Sequence, residues 1–367
     1  MIGQKGVPSQ GGGVERYVEE LSRELVLRGH DVFVYCRSGY TGGKEKREHR
    51  GIKLIYVPTF YTKHLEAIVH TFLCTIHALR QKADVLHYQA IGPSSLIWIP
   101  KWVNKILKKK TKVVVTYHCK DYKHQKWNIF ARWYLRLGER MAAKYADVLI
   151  ANSKGLASYA GKKYGSNPVY IPYGARALPK SQDAKHLKKW NLETGGYIFI
   201  MSRFIKHKGI HYLIDAYKTL DTTKKLVIAG DGAYTNDYKQ FLLKKAADHP
   251  NIIFVGNQTG EVLGDLLENA YCFAQPSEAE GLSIALLEAM KAGKACVVSD
   301  IPENLEAVQG NGIVFENKNS VDLAEKLQYA LKSPEKVEQL GALLKNQADV
   351  QNDWERIAEK TESVYIA

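Results

Sequence analysis

The stretch that decides the fold is Gln275–Lys294, QPSEAEGLSIALLEAMKAGK. It overlaps the end of the apolar run Cys272–Gln275 and contains a helical pattern over Ser283–Ala292. A second apolar run, Ala295–Ser299, follows directly, and Gly281 lies in the turn before the helix. A strand, a glycine turn, a helix and a second strand form a βαβ unit. This unit predicts neighbouring parallel strands in an α/β sheet.

The same alternation of strand and helix patterns extends through the whole chain. Several apolar runs are continuous in Val, Ile and Leu, as is typical of parallel strands covered on both faces. Besides the two named above, the predicted strands are Asp31–Cys36, Ile52–Val57, Val85–Tyr88, Val113–Tyr117, Val148–Ala151, Val169–Ile171, Tyr197–Ser202, Lys225–Ala229 and Ile252–Val255. The predicted helices include Val14–Arg28, Phe130–Tyr145 and Gly209–Lys218. A βαβα pattern that occurs twice predicts two doubly wound, Rossmann-like domains.

The predicted domain boundary lies where the polar, lysine-rich stretch Tyr173–Leu192 interrupts the alternation. We expect an N-terminal domain over residues 1–174 and a C-terminal domain over residues 175–350. Residues 351–367 carry apolar side chains at helical spacing, which predicts a terminal helix. Each parallel sheet binds its ligand at the carboxyl ends of its strands, so two such domains facing each other would enclose a cleft.

Composition excludes several classes of protein. With 367 residues, 45% hydrophobic and 25% charged, the chain resembles ordinary globular proteins and is neither disordered nor collagen-like. No apolar run reaches the roughly 18–20 residues that a membrane span needs. The five cysteines are odd in number and contain no C-x-x-C pair, which favours reduced, mostly buried thiols. The chain opens with Met1-Ile2-Gly3, so the first expected strand is either short or lacks preceding residues.

The positive charge is concentrated in the first half of the chain. The net charge is +14 overall, and residues 1–174 hold 29 Lys and Arg against 12 Asp and Glu. The other residues hold 23 against 26. This asymmetry indicates that the N-terminal half meets an anionic partner, such as a nucleic acid, an acidic lipid surface or a phosphorylated substrate.

Charged residues follow several strands of the C-terminal half. Glu280 and Glu288 flank the helix start near Ser283, whose backbone N–H groups suit a diphosphate. Arg203 and Lys208 lie five residues apart at another strand-to-helix turn, and together they can neutralise a diphosphate. Glycine turns follow two further strands, at 228–232 and 255–256. All these turns are expected at one edge of the sheet, where they would form one site.

At this point the chain resembles the retaining nucleotide-sugar glycosyltransferases of family 4, which have the two-domain GT-B fold. In the second half, the motifs are S-R-x-x-x-x-K-G, A-G-D-G, P-S-x-x-E-G-x-x-x-x-x-L-E-A-M and Val298-Ser299-Asp300. The first half is similar to the subset that begins G-x-x-G-x-P…G-G-x-E-x-x-V-E-E-L, here Gly3–Leu21. It continues with T-x-H…K-W…A-x-x-Y-L-R-L-G-E-R, here Thr116–Arg140. The resemblance covers nearly the whole chain and implies an α/β, GT-B enzyme.

The resemblance implies a role for each matching residue of the C-terminal domain. Arg203 and Lys208 would neutralise the leaving diphosphate, helped by the backbone amides of Leu282, Ser283 and Ile284. Glu288 would hold the ribose and Glu280 the transferred sugar, while Gln258 lies where the family's loop meets the nucleobase.

The resemblance also implies roles in the N-terminal domain. Gly12 and Gly13 would let the first helix approach donor and acceptor closely, and His118 would contact the sugar near the reacting carbon. By itself, a histidine after a strand is more often a structural residue, and the T-x-H context favours the functional interpretation. The terminal helix of a GT-B protein packs back on the N-terminal domain.

One departure from the family pattern concerns the sugar end of the site. The usual E-G-F-G becomes Glu280-Gly281-Leu282-Ser283, which weakens any assignment of the donor sugar. No D-x-D occurs, and Arg203 and Lys208 can supply the charge stabilisation of a metal ion, so we expect no metal and no cofactor. The resemblance implies retention by front-face attack on an oxocarbenium-like carbon, with no enzymic nucleophile.

The basic stretch Trp98–Lys112, WIPKWVNKILKKKTK, leaves two interpretations open. Trp, Ile and Leu mixed with lysines suit an anionic membrane surface, and equally a solvated face over ordinary core helices. The lysines concerned are Lys101, Lys105, Lys108, Lys109, Lys110 and Lys112. No nucleic-acid module occurs in the sequence, so we expect no nucleic-acid partner.

The sequence therefore predicts a cytoplasmic glycosyltransferase, peripheral on the inner face of the membrane if the basic stretch binds lipid. It would move a sugar from a nucleotide diphosphate, with UDP favoured by family frequency, to a glycan or lipid-linked acceptor in envelope polysaccharide synthesis. Two alternatives remain open: a nucleotide-sugar isomerase or hydrolase of the same fold, and a non-catalytic membrane or nucleic-acid binder.

Overall fold

The computed structural model describes residues 1–42, 45–59, 66–123, 128–232 and 236–367. The chain divides into two compact units. Unit 1 comprises Met1–Tyr173 and Trp354–Ala367, and unit 2 comprises Gly174–Asp353. The division therefore lies one residue before the boundary expected near residue 174, and three residues after the one expected at 350.

Strands occur in both units and are mostly parallel. The strands of unit 1 are β1 (Phe33–Arg37), β2 (Glu48–His49), β3 (Ile52–Val57), β4 (Val85–Gln89), β5 (Lys112–Tyr117), β6 (Val148–Ala151) and β7 (Val169–Tyr170). The strands of unit 2 are β8 (Tyr197–Met201), β9 (Lys225–Ala229), β10 (Ile252–Gly256), β11 (Cys272–Gln275), β12 (Cys296–Ser299) and β13 (Ile313–Phe315).

Helices connect these strands. They are α1 (Gly13–Leu27), α2 (Glu66–Arg80), α3 (Ile91–Ser94), α4 (Trp98–Leu107), α5 (Ile129–Tyr145), α6 (Lys154–Tyr164), α7 (Ile210–Lys218), α8 (Asn236–Ala246), α9 (Gly260–Glu268), α10 (Ile284–Lys291), α11 (Pro302–Val308), α12 (Ser320–Lys332), α13 (Pro334–Gln351) and α14 (Trp354–Ile366). Short 3₁₀ turns occur at Asp121–Lys123, Lys185–Trp190 and Lys206–Lys208.

The strands of unit 1 form two groups, in the orders β1-β3-β2 and β4-β5-β6-β7. Only β2 is antiparallel among the described pairs. The first two residues join the groups, because Tyr35 N donates to Met1 O and Ile2 forms a parallel bridge with Tyr88. The expected first strand is therefore present as a bridge at Ile2.

The terminal helix α14 belongs to unit 1, where it packs against α1. Trp354 lies 5.9 Å from the ring of Tyr17, and Glu362 accepts hydrogen bonds from Arg28 and from His30 at 2.6 and 2.7 Å. Unit 1 is thus completed by the end of the chain.

Unit 2 has one six-stranded parallel sheet, in the order β10-β9-β8-β11-β12-β13. Side chains from both faces of the sheet are buried, and Tyr197, Ile198 and Phe199 of the central strand β8 are 0% exposed. This explains the continuous apolar runs in the sequence, since helices cover a parallel sheet on both sides.

The prediction of two Rossmann-like α/β domains is confirmed, and the predicted strands shift by one or two residues at their ends. The helix predicted from Ser283 begins at Ile284, with Ser283 as its cap. Glu280 therefore precedes the helix, and Glu288 lies about one turn into it, so the two glutamates flank the helix start as expected. Lys126 and Trp127 of the K-W motif lie outside the described residues.

Candidate active site

The carboxyl ends of the parallel strands in unit 2 bring the predicted donor residues to one sheet edge. Strands β8, β9, β10 and β11 are neighbours and run in the same direction. Their following turns carry Arg203 and Lys208 after β8, Gln258 after β10, and Glu280 after β11. The crevice outside this edge is where open α/β sheets bind ligands.

Two glycines let the turns approach each other more closely than other residues could. A Cβ on Gly209, which has a φ of +68°, would lie 1.8 Å from the carbonyl oxygen of Pro276. A Cβ on Gly230, with a φ of +137°, would lie 1.8 Å from the carbonyl oxygen of Ser202. The backbone amide of Glu278 also donates to His207 O, at 2.8 Å. The Lys206–Lys208 turn is therefore packed directly on the loop that carries Glu280.

The packing of these loops joins Lys208 to Glu280. Lys208 Nζ lies 2.5 Å from Glu280 Oε1, and Ser277 Oγ and Gln275 Nε2 donate to the same oxygen at 2.6 and 2.8 Å. The side chains of Lys208 and Glu280 are 16% and 9% exposed, so the pair is poorly screened by solvent. Three donors converge on Oε1, which orients the carboxylate and leaves Oε2 as the acceptor for a hydroxyl group.

A buried polar layer supports this carboxylate. Gln275 Nε2 also lies 3.0 Å from Ser283 Oγ, the N-cap oxygen that accepts from Leu286 N. Ser299 Oγ donates to Ser277 O at 2.6 Å and accepts from Asn304 Nδ2 at 3.0 Å. The loop is held at both ends, so the N-terminus of α10 and Glu280 keep a common geometry.

The remaining residues of the predicted donor site differ in exposure. Arg203 is exposed, and within the described residues its guanidinium has no hydrogen-bond or ion-pair partner. Glu288 is buried on α10, while Leu282 and Ser283 are buried and Ile284 is partly exposed at the start of that helix. Gln258 Nε2 donates to Val255 O, so its side chain folds back onto its own turn.

In unit 1, His118 follows the carboxyl end of β5 and is 2% exposed. Its Nε2 lies 3.0 Å from Gln89 Oε1, and its Nδ1 is in hydrogen-bond contact with the Tyr173 hydroxyl. Because an amide oxygen only accepts, Nε2 carries the proton and Nδ1 accepts from Tyr173. Burial lowers the pKa of His118 to about 3, so the ring is neutral. Contact with a sugar would require His118 to exchange one of these partners.

The glycine-rich loop before α1 is held by carboxylates of that helix. Lys5 N donates to Glu15 Oε1 at 3.1 Å, and Ser9 N donates to Glu19 Oε2 at 2.9 Å. A Cβ on Gly12 would lie 1.7 Å from Glu15 Oε2, the end of a flexible side chain that would have to move aside. Gly13 is the first residue of α1. The predicted approach of a donor to Gly12 and Gly13 would therefore meet Glu15.

A second buried carboxylate lies behind the His118 strand end. Glu139 of α5 is 2% exposed and accepts from the hydroxyls of Tyr117 and Tyr164 and from Lys163 Nζ at 3.0 Å. Tyr117 is the last residue of β5 and directly precedes His118. This cluster connects β5 with α5 and α6 by hydrogen bonds, so the glutamate of the L-G-E-R segment has a structural role.

Three further features of the described residues limit the kind of site that they can form. No group of three or more His, Cys, Asp or Glu side chains is placed to hold a metal ion. No described helix is long and apolar enough to cross a membrane. None of the five cysteines forms a disulfide; Cys119 is partly exposed and the other four are buried.

Two family models match the chain. The model for glycosyl transferases group 1 matches residues 182–347, and the model for Glycosyltransferase Family 4 matches residues 11–175. The chain belongs to the family 4 type of glycosyltransferases. The resemblance seen in the motifs is thereby confirmed for both halves of this glycosyltransferase.

Relatives and solved structures agree with this assignment. This glycosyltransferase is 24% identical to the N-acetyl-alpha-D-glucosaminyl L-malate synthase of Bacillus anthracis, over 99% of this chain and 96% of the relative. It is 30% identical to a diacetylbacillosaminyl-diphospho-undecaprenol N-acetylgalactosaminyltransferase of Campylobacter jejuni, over 45% of this chain and 41% of the relative. The structure of Anabaena HepE with UDP and glucose has a TM-score of 0.80, at 17% identity and coverage of 98% and 97%. This last likeness confirms the fold.

Sequence reasoning missed the residues that hold the site residues in place. Gln275 and Ser277 orient the carboxylate of Glu280. Gln89 and Tyr173 form hydrogen bonds with both ring nitrogens of His118. Glu15 lies against Gly12. A signal existed for Ser277 and Glu15, because each belongs to a quoted motif. No local pattern indicated Tyr173, which is 55 residues from His118.

Proposed function

We propose that this glycosyltransferase moves a sugar from a nucleotide diphosphate, a UDP-sugar in the first instance, to a glycan or lipid-linked acceptor with retention of configuration. The observation that carries the proposal is the Lys208–Glu280 pair at the sheet edge. It places a cation suited to a phosphate beside a carboxylate suited to a sugar hydroxyl. A nucleotide sugar is the ligand class that contains both groups.

The proposed donor site uses charge and backbone dipoles of unit 2. Arg203, with its exposed guanidinium, and Lys208 would neutralise the diphosphate as it leaves. The N–H groups of Leu282, Ser283 and Ile284 would add the positive end of α10. Glu288 would accept the ribose hydroxyls, and Gln258 would meet the base once its side chain releases Val255 O. These cations support a reaction without a metal ion.

The proposed chemistry needs no enzymic nucleophile. Departure of the diphosphate leaves positive charge on the anomeric carbon, and the acceptor hydroxyl attacks from the face that the diphosphate leaves. The departing phosphate oxygen takes the proton of that hydroxyl. Because bond formation and bond cleavage occur on the same face, configuration is retained. Glu280, through Oε2, would hold the sugar ring. In unit 1, neutral His118 would contact a sugar only once one of its partners is exchanged.

The choice of donor and acceptor class draws on the relatives. HepE is described with UDP and glucose, and the Campylobacter relative is named for an undecaprenol diphosphate acceptor. We therefore propose a UDP-sugar, a lipid-linked or glycan acceptor, envelope polysaccharide synthesis as the setting, and the cytoplasmic side of the membrane as the location.

The test is a transfer assay with UDP-glucose, UDP-galactose and their N-acetyl forms, with and without an undecaprenyl-diphosphate-linked saccharide, in EDTA. We expect one donor to be consumed only when the acceptor is present. The coupling constant of the product's anomeric proton should show the same α configuration as the donor. Arg203→Ala should abolish transfer. Donor turnover that is equally fast without acceptor would instead identify a hydrolase or isomerase, and an inverted product would contradict retention.

A further inference from the structure

Unit 1 carries an exposed aromatic and aliphatic surface that the glycosyl-transfer chemistry does not explain. Helix α4 buries only Ile99 and Pro100. Trp98, Trp102 and Ile106 follow each other at intervals of four residues, so they form one stripe along the helix. All three are exposed, Trp102 to 60%. Tryptophans are rarely left in water in this way without a partner.

The first turns of α5 continue this surface. Ile129, Phe130 and Trp133 are 86%, 68% and 58% exposed. Strands β4, β5 and β6 are parallel and adjacent in that order, so the right-handed crossovers that contain α4 and α5 cover the same face of the sheet. The two helices are in contact. Their exposed stripes therefore belong to one surface, here termed the aromatic face, defined by these three residues and by Trp98, Trp102 and Ile106.

The two segments that form the aromatic face carry positive charges and no acidic residue of their own. No Asp or Glu occurs in 98–112 or in 128–138. Of the six lysines in the basic stretch, Lys105, Lys108 and Lys110 are exposed. The other three have partners: Lys101 pairs with Asp147, and Lys109 and Lys112 donate to backbone carbonyls. Half of the lysines are thus free to meet an anionic partner.

We propose that the aromatic face inserts into the headgroup region of an anionic lipid bilayer, with Lys105, Lys108 and Lys110 bound to lipid phosphates. Tryptophan is the side chain best suited to that interface, because its ring is apolar and its N–H remains hydrogen-bonded. An apolar stripe flanked by lysines is the pattern of a helix that lies in the plane of the interface. The inference rests on the proposed function in one respect only: a lipid-linked acceptor would explain why the protein binds a membrane.

The charge pattern favours lipid over a second copy of the chain. In a two-fold contact between copies, the lysines of one copy would lie opposite the same lysines of the other copy or opposite its uncharged aromatic face. Neither segment of the face contains an acid that could compensate these lysines. Anionic lipid compensates every lysine, at about 1 kcal/mol for each one near the surface.

The test is sedimentation of the purified chain with vesicles of phosphatidylcholine alone and with vesicles that also contain phosphatidylglycerol. We expect binding to the anionic vesicles and little to the neutral ones. Replacing Trp98, Trp102 and Trp133 together by Ser should weaken binding at least about tenfold at low salt, because the inserted apolar area is lost. Reversing Lys105, Lys108 and Lys110 to Glu should weaken it about fivefold or more for each lysine.

Controls separate this inference from folding and from the proposed function. Leu27→Ser and Val321→Ser remove apolar side chains that are 67% and 68% exposed elsewhere, and they should leave vesicle binding unchanged. All variants should keep the far-UV spectrum and melting temperature of the parent chain, because exposed substitutions change stability little. Vesicle binding does not depend on turnover, so an inactive protein that binds vesicles would overturn only the proposed function.

Two results would overturn the inference. One is equal sedimentation of the parent chain and the triple tryptophan variant with anionic vesicles. The other is a parent chain that ignores vesicles and forms a dimer that the tryptophan variant breaks, which would make the aromatic face a contact between copies.

Discussion

Lys208 Nζ lies 2.5 Å from Glu280 Oε1, although the two residues are 72 positions apart in the chain. The sequence assigns one to the diphosphate and the other to the sugar. The structure brings them into one ion pair, held by Gln275 and Ser277 on the same oxygen. A donor bound here would therefore meet two charges that already position each other.

The first prediction concerns this pair. Lys208→Met leaves Glu280 without its cation in a poorly hydrated place, and it should destabilise unit 2 by about 2 kcal/mol. The double variant Lys208→Met/Glu280→Gln should be less destabilised than the sum of the single variants. Urea unfolding of all four proteins gives the coupling energy, which we expect to be about 1 kcal/mol or more. A coupling energy of zero would show that the pair does not form in solution.

The second prediction separates the roles of the two glutamates. Glu288→Ala should weaken binding of UDP and of UDP-sugar alike, because both ligands contain the ribose. Glu280→Ala should weaken binding of UDP-sugar alone, by about tenfold, which corresponds to one lost charge-assisted hydrogen bond. Calorimetric titration with both ligands measures this. Equal losses for both ligands in both variants would contradict the division.

The third prediction tests the close approach at Gly209. Gly209→Ala and Gly260→Ala both place an alanine at a positive φ, and each should lose about 1 kcal/mol for that reason alone. Only at Gly209 does the new methyl group meet a backbone carbonyl; nothing lies within 4 Å at Gly260. We therefore expect Gly209→Ala to lose about 1–3 kcal/mol more and to weaken donor binding. If the two variants have the same stability and affinity, the loops are not packed as described.

The fourth prediction concerns pH. Burial lowers the pKa of His118 to about 3, of His70 to about 4 and of His87 well below its usual value. Below the ordinary pKa of about 6.5, the unfolded chain therefore binds more protons than the folded one, and the free energy of unfolding falls as the pH falls. His118 contributes to this loss down to about pH 3.

The variant His118→Gln removes one of these histidines. The slope of the unfolding free energy between pH 5 and 6 should decrease by up to about 1.4 kcal/mol per pH unit, while the slopes above pH 7.5 should be the same in both proteins. Denaturant titrations at each pH measure these slopes. A slope between pH 5 and 6 that matches the parent chain would show that His118 titrates normally.

The sequence predicted the elements of the fold better than the contacts between them. The β11–α10–β12 unit was predicted within one residue at each end, because strand periodicity, the glycine turn and the Ser283 cap are all local signals. Strand β13 was missed, because three apolar residues after Gly-Asn-Gly are too short to show a period.

The site residues were located by motif, whereas their partners were not. The Lys208–Glu280 pair and the contact of Tyr173 with His118 depend on how distant loops pack, whereas Glu15 contacts Gly12 within one helix start. Likewise, the basic stretch contains six lysines, and only the structure shows that three of them are bound to Asp147 or to backbone carbonyls. The exposed stripe of α4 could be counted from its spacing, but its continuation on α5 required the order of the strands.

We propose that the carboxyl edge of the unit 2 sheet binds a nucleotide diphosphate through Arg203. The most direct measurement is calorimetric titration of UDP, GDP and dTDP into the parent chain, Arg203→Ala and Lys225→Ala, in EDTA. Lys225 begins β9 at the opposite edge of the same sheet and donates to Asn191 O. Lys225→Ala is therefore a control that removes one positive charge away from the proposed site.

We expect one nucleotide, UDP in the first instance, to bind the parent chain and Lys225→Ala equally. Arg203→Ala should bind it at least about tenfold more weakly, because the diphosphate loses a charged donor. Absence of binding for every nucleotide, or equal affinity for the parent chain and Arg203→Ala, would show that Arg203 does not form a diphosphate site.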